Sequence, residues 1–202
     1  IGYGAALAVF ASGVALAAAA YPGGFDWQYT VMSRLASRRH NPDGSFWFSI
    51  GLAVSMLLLW PVVERIRPRA PGAGSATAGI ALRAGLVFAA LVGVERTLFV
   101  HLSGVVDKGH EAMALLAFLC LYSGLLVVYV ARIVSGEAGR WRSLAAMSPL
   151  LLVGVGSLGL YVLQRDTGWV KPGWRALGVP MWQVFAFWQW LMVAALWLAV
   201  AH

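Results

Sequence analysis

Residues 110–131 read HEAMALLAFLCLYSGLLVVYVA, and after Glu111 twenty consecutive residues carry no charge. A helix rises about 1.5 Å per residue, so such a run reaches across the roughly 30 Å of a bilayer's hydrocarbon. The run is continuous rather than alternating, and it is too long for a barrel strand. It therefore reads as a transmembrane helix. Five other stretches read the same way: about 1–20, 46–63, 84–102, 144–163 and 178–200. The expected fold class is all-α: a polytopic membrane protein with six transmembrane helices in one bundle, residues 1–202 forming a single domain.

Composition agrees. The 202-residue chain is 60% hydrophobic and 11% charged, where a soluble domain carries about 25% charged residues. The net charge of +7 comes from short basic clusters at the ends of apolar runs. That is the pattern of anchoring at anionic lipid, so no nucleic-acid partner is expected. Cys120 is the one cysteine and lies in an apolar run, where a small buried side chain is the simpler reading than a reactive thiol. The chain begins at Ile1 without methionine, and further N-terminal sequence is expected ahead of it. The run 1–20 lacks a preceding basic segment and is read as a retained first helix rather than a cleaved signal.

The connections are unequal. Residues 21–45 are bounded by Pro22-Gly23-Gly24 and Asn41-Pro42-Asp43-Gly44, both strong turn signals. Between them Trp27, Val31, Met32 and Leu35 recur at helical spacing with arginines interleaved, which predicts a short interfacial helix after the first span. Residues 64–83 read as a basic stop followed by a flexible Gly/Ala/Ser linker. Of the ten tryptophans, six fall at predicted span ends, as an aromatic belt requires. The four in the last run are read as lipid-facing or interfacial anchors.

Threading six spans places six of the eight carboxylates and three of the four histidines on one face. The candidate functional residues of that face are Asp26, Ser33, Glu95, Arg96, His101, His110 and Glu111. Counted from Arg83, Glu95 and Arg96 lie about 18 Å along their span. Ionisable residues at such depth are functional candidates by default, and the alternatives are a structural ion pair between the two or an early end of the span. His101 and His110 flank a short turn. With Asp26 they form a candidate His/His/carboxylate metal set, for which zinc is the fitting ion. Haem is disfavoured because both histidines sit near a span edge, and a ring-stacking pigment site is the less economical account of the tryptophans. Gly154, Gly156 and Gly159 match a dinucleotide-binding spacing but lie mid-span with no strand before them, so they read as helix packing.

The chain resembles a family of six-span bacterial and archaeal membrane proteins of unknown function, related to the group containing the DRAM and Sfk-type proteins. The matching positions are Asp26, Met32-Ser33-Arg34-Leu35-Ala36, Asn41-Pro42 and Phe48-Ser49-Ile50-Gly51-Leu52, together with His110 and Gln183. Arg34 and Ala36 stand where the family has Glu and Gly. The resemblance implies a lipid-embedded bundle with a polar pocket on the non-cytoplasmic side, and it supplies no reaction. A more distant similarity is to membrane hydrolases of the ceramidase and adiponectin-receptor type, which hold zinc with Ser, Asp and His near one membrane face.

Three functions follow as expectations. The first is a non-enzymatic integral membrane protein that binds membrane lipids or serves as an accessory subunit among other membrane-protein subunits. The second is a metal-dependent lipid hydrolase built on Asp26, His101 and His110 with Ser33 nearby. The third is a small transporter or proton relay through Glu95 and Arg96. The expected location is the bacterial inner membrane, multi-pass, with both termini cytoplasmic.

Overall fold

The computed structural model describes residues 2–66, 73–98, 105–135, 140–164 and 174–201, including their side chains except at 73, 96–98, 105–108 and 164. Every regular element among them is helical: α1 (Gly2–Ala19), α2 (Ser33–Ala36), α3 (Ser45–Ile66), α4 (Ala73–Leu98), α5 (Val105–Val134), α6 (Arg140–Gln164), a 3₁₀ turn (Met181–Gln183) and α7 (Phe185–Ala201). Five helices (α1, α3, α4, α5 and α6) are long and apolar enough to cross a membrane. The chain is thus an all-α, multi-pass, membrane-embedded protein.

The expected count of six long spans needs correction at the last run. Gly178 has φ +69° and Pro180 holds an extended backbone before the 3₁₀ turn, so helix begins only at Phe185. The resulting α7 has 17 residues, about 26 Å, and is a shorter apolar helix.

Other boundaries move too. The segment read as a flexible linker is helical from Ala73, because Ala78 and Leu82 are fully buried in the core. Glu95 is therefore 22 residues into α4, about 33 Å along it, near its C-terminal end rather than mid-span. The short helix of the first connection is a single turn, and its Leu35 and Ala36 are buried in the main core. Trp197, expected at lipid or interface, is buried as well.

Long helices consecutive along the chain pack antiparallel, and contacts between α1 and α7 close them into a ring. Gly13 of α1 meets Gly51 of α3, where an added Cβ would fall 2.8 Å from the Trp47 carbonyl and 2.9 Å from Gly51 Cα. Without water to drive them together, membrane helices gain from such close backbone approach. Glu64 of α3 and Arg83 of α4 pair through two hydrogen bonds of 2.6 and 2.7 Å. On α4 and α5, Leu121 fills the space above Gly85 and Leu82 that above Gly124. Gly156 of α6 faces the ring of Trp188 on α7. The ring closes where Tyr3 Oη donates to the Trp197 carbonyl at 2.8 Å and Phe10 lies 5.4 Å from the Trp197 ring.

The first connection folds over one end of this ring. Asn41 is wholly buried; its amide donates to the carbonyls of Ala17 (2.9 Å) and Leu35 (3.2 Å), and its Oδ1 accepts from Gly44 N–H. The end of α1, the turn α2 and the start of α3 are tied by that one side chain. Across the same end, Tyr29 Oη donates to the Val179 carbonyl and the Met32 N–H donates to Gln189 Oε1 at 2.8 Å.

Candidate functional site

The register of α4 against α5 decides which ionisable side chains meet. Leu82 pairs with Gly124 and Gly85 with Leu121, so facing residue numbers sum to 206. Carried about three turns along, that register brings Glu95 to within one residue of facing His110. The two side chains pair, Nδ1 to Oε2, at 2.9 Å. Glu95 is 7% exposed and His110 3%. Buried charges are stable only when paired, and here each group has the other within hydrogen-bond distance. The bond also fixes the imidazole's orientation. Glu95 Oε1 is buried with no hydrogen-bond partner among the described residues. Orphans of this kind are few in folded proteins.

His110 forms part of the wall of a cavity of about 130 Å³ inside the ring. Five elements line its length: Phe10 on α1, Phe48 to Val63 on α3, Leu86 to Val92 on α4, His110 to Leu125 on α5, and Gln189 to Val200 on α7. The turn α2 contributes Met32, Ser33 and Ala36 at one end. Nearly all of this surface is apolar. Its polar side chains are Ser33, His110 and Gln189, all at the end covered by the first connection, with Glu95 behind His110. An apolar cavity of this order stays dry and accepts apolar guests.

Of the other expected site residues, Asp26 and Glu111 do not line the cavity. Asp26 pairs with Arg175, Oδ2 to Nε at 3.0 Å; Arg175 also donates to Gln28 Oε1 and sits 5.2 Å over the Tyr29 ring. Glu111 is exposed. The side chain of Arg96, the expected partner of Glu95, falls outside the described residues, as does His101. The proposed Asp26–His101–His110 metal set therefore lies partly outside the described residues. Among the described residues no three His, Cys, Asp or Glu side chains come together as a metal site.

Two working residues escaped the sequence reading. Gln189 is the one amide in the otherwise apolar FAFWQWLMVAALWLAVA of α7, a signal that could have been taken. Gln183, which the resemblance singled out, lies instead in the 3₁₀ turn. Asn41 was read as a turn former and as a position of the resemblance, although its burial makes it a tie between three elements.

No family model, curated protein or solved structure matches this chain. The functional reading rests on the geometry above.

Proposed function

We propose that this chain is a non-enzymatic integral membrane protein that binds an amphiphilic lipid within its helix bundle. The apolar tail occupies the cavity, and the polar head lies at the end marked by Ser33, His110 and Gln189. The observation that carries the reading is the one-sided polarity of the cavity: apolar side chains from five elements along its length, polar ones at one end alone. A site that must hold both halves of an amphiphile needs that arrangement.

Native mass spectrometry of the purified full chain tests it. Retained lipid is expected on the wild type and on Leu152→Trp, whose parent side chain is 68% exposed on the outside of α6. Loss of the lipid is expected in Leu86→Trp, which fills the cavity. A wild-type protein that neither retains nor takes up any lipid would overturn the reading.

A second reading has one observation in its favour. The buried Glu95–His110 pair, with its orphaned carboxylate oxygen, has the parts of a proton relay. It requires Glu95→Gln to abolish proton flux in liposomes holding the protein. Unchanged flux removes it.

A further inference from the structure

The dimensions of the cavity narrow the class of lipid, given that the site binds an amphiphile at all. The lining runs fifteen residues along α3, from Phe48 to Val63, and fifteen along α5, from His110 to Leu125. Each corresponds to about 22 Å of helix. On α7 it runs eleven residues, from Gln189 to Val200, about 16 Å. Spread evenly over this length, a cavity volume of 130 Å³, with a water radius of about 1.4 Å added at the wall, corresponds to a bore of about 5–6 Å. One alkyl chain is about 5 Å wide at ordinary carbon contact distances. Two side by side do not fit.

Length selects as well as width. An extended alkyl chain with C–C bonds of about 1.5 Å advances about 1.25 Å per carbon. The lined length of about 16 to 22 Å therefore matches about 13 to 18 carbons. At the far end Val63, Leu125 and Val200 are apolar and offer nothing to a second polar group. At the near end the Gln189 amide oxygen is engaged by the Met32 N–H, which directs its amide N–H groups elsewhere. Neither those groups nor the Ser33 hydroxyl bond to another described residue. Both are donors suited to an oxygen acceptor, and the buried Glu95–His110 pair stands beside them.

We infer that the ligand is a single-chain amphiphile, an unbranched alkyl chain of about 14 to 18 carbons ending in a carboxyl or ester oxygen, whose length is read by Val63, Leu125 and Val200. Fatty acids and monoacylglycerols share that chemistry. Diacyl phospholipids and polyisoprenoids do not.

Binding of a C10–C22 series of fatty acids and of monoacylglycerols to the full chain in nanodiscs tests this. Dipalmitoyl phosphatidylcholine and a polyisoprenol serve as counter-probes. Affinity is expected to peak between C14 and C18 and to fall at least tenfold by C22, whichever of the two heads is preferred. Val200→Trp, at the far end, is expected to move the peak to shorter chains. Ser33→Ala, at the exposed mouth, is expected to weaken all lengths alike.

A second measurement reads the depth of the chain directly. Trp197 lies eight residues beyond Gln189 on α7, about 12 Å deeper. Stearate brominated at carbons 9 and 10 is expected to quench tryptophan fluorescence more than stearate brominated near carbon 2, the excess vanishing in Trp197→Phe. Equal quenching, a flat length profile or preference for a two-chain or branched lipid would overturn the single-chain assignment while leaving lipid binding intact. Failure of every lipid class to bind overturns the underlying reading instead.

Discussion

His110 on α5 and Glu95 on α4 form a buried pair at 2.9 Å, fifteen positions apart in sequence and facing each other across the end of the bundle. Their neighbours are mostly apolar, so the pair's worth depends on both partners being present. Glu95→Ala leaves Nδ1 of His110 without this partner and is expected to cost about 1–3 kcal/mol. Glu95→Gln, which keeps the volume and a hydrogen-bonding oxygen, is expected to cost less. A double-mutant cycle with His110→Phe, read by thermal unfolding in detergent, measures the coupling. Additive losses would show that the pair does not act as a unit.

Gly13 and Gly51 set the distance between α1 and α3. A Cβ on either would lie within 3 Å of the other's Cα, and both atoms are backbone that side-chain rotation cannot relieve. Gly13→Ala is expected to force the helices apart and to cost about 1–3 kcal/mol, the usual penalty of overpacking. Gly4 faces open space, so Gly4→Ala is the matched control and is expected to be near neutral. Melting temperatures of the two variants decide.

Asn41 makes three buried hydrogen bonds. At about 1 kcal/mol each, Asn41→Ala is expected to lose roughly 2–4 kcal/mol. Asn41→Asp retains an acceptor for Gly44 N–H but can no longer donate to Ala17 and Leu35, so its loss should approach that of the alanine variant. If Asn41→Asp matched wild type, the donor half of the tie would be irrelevant. Limited proteolysis of the first connection offers an independent readout.

Asp26 and Arg175 present the opposite case. The arginine side chain is 64% exposed, and exposed ion pairs contribute little. Asp26→Asn is expected to change stability by less than about 1 kcal/mol. Any large effect of this substitution on lipid retention would then report on the position of the first connection over the cavity, not on folding. Comparing unfolding with lipid retention in one preparation separates the two.

The long apolar runs were legible because hydrocarbon leaves an isolated segment one way to satisfy its backbone. Residues 46–63 and 110–131 show this directly, since both lie within observed helices. Boundaries were less legible. Ala73 to Thr77 are small and polar enough to read as linker, yet α4 starts there because Ala78 and Leu82 have a partner surface on α5. Residues 178–184 are apolar enough to read as helix, yet Gly178 and Pro180 delay it. Trp197 and Trp182 are alike in composition plots, while one is buried in the core and the other 58% exposed.

The sequence by itself determined the solvent of this protein and its helical class. Each of those depends on local composition, and local composition is printed in the chain. Tertiary structure alone decided that Glu95 pairs with His110, that Gln189 and Ser33 share a cavity with that histidine, and that Asn41 binds three elements together. Those relations depend on the register between helices, which is set by glycine–leucine contacts such as Gly85 with Leu121. A register is a property of two surfaces at once, and no single run of sequence contains it.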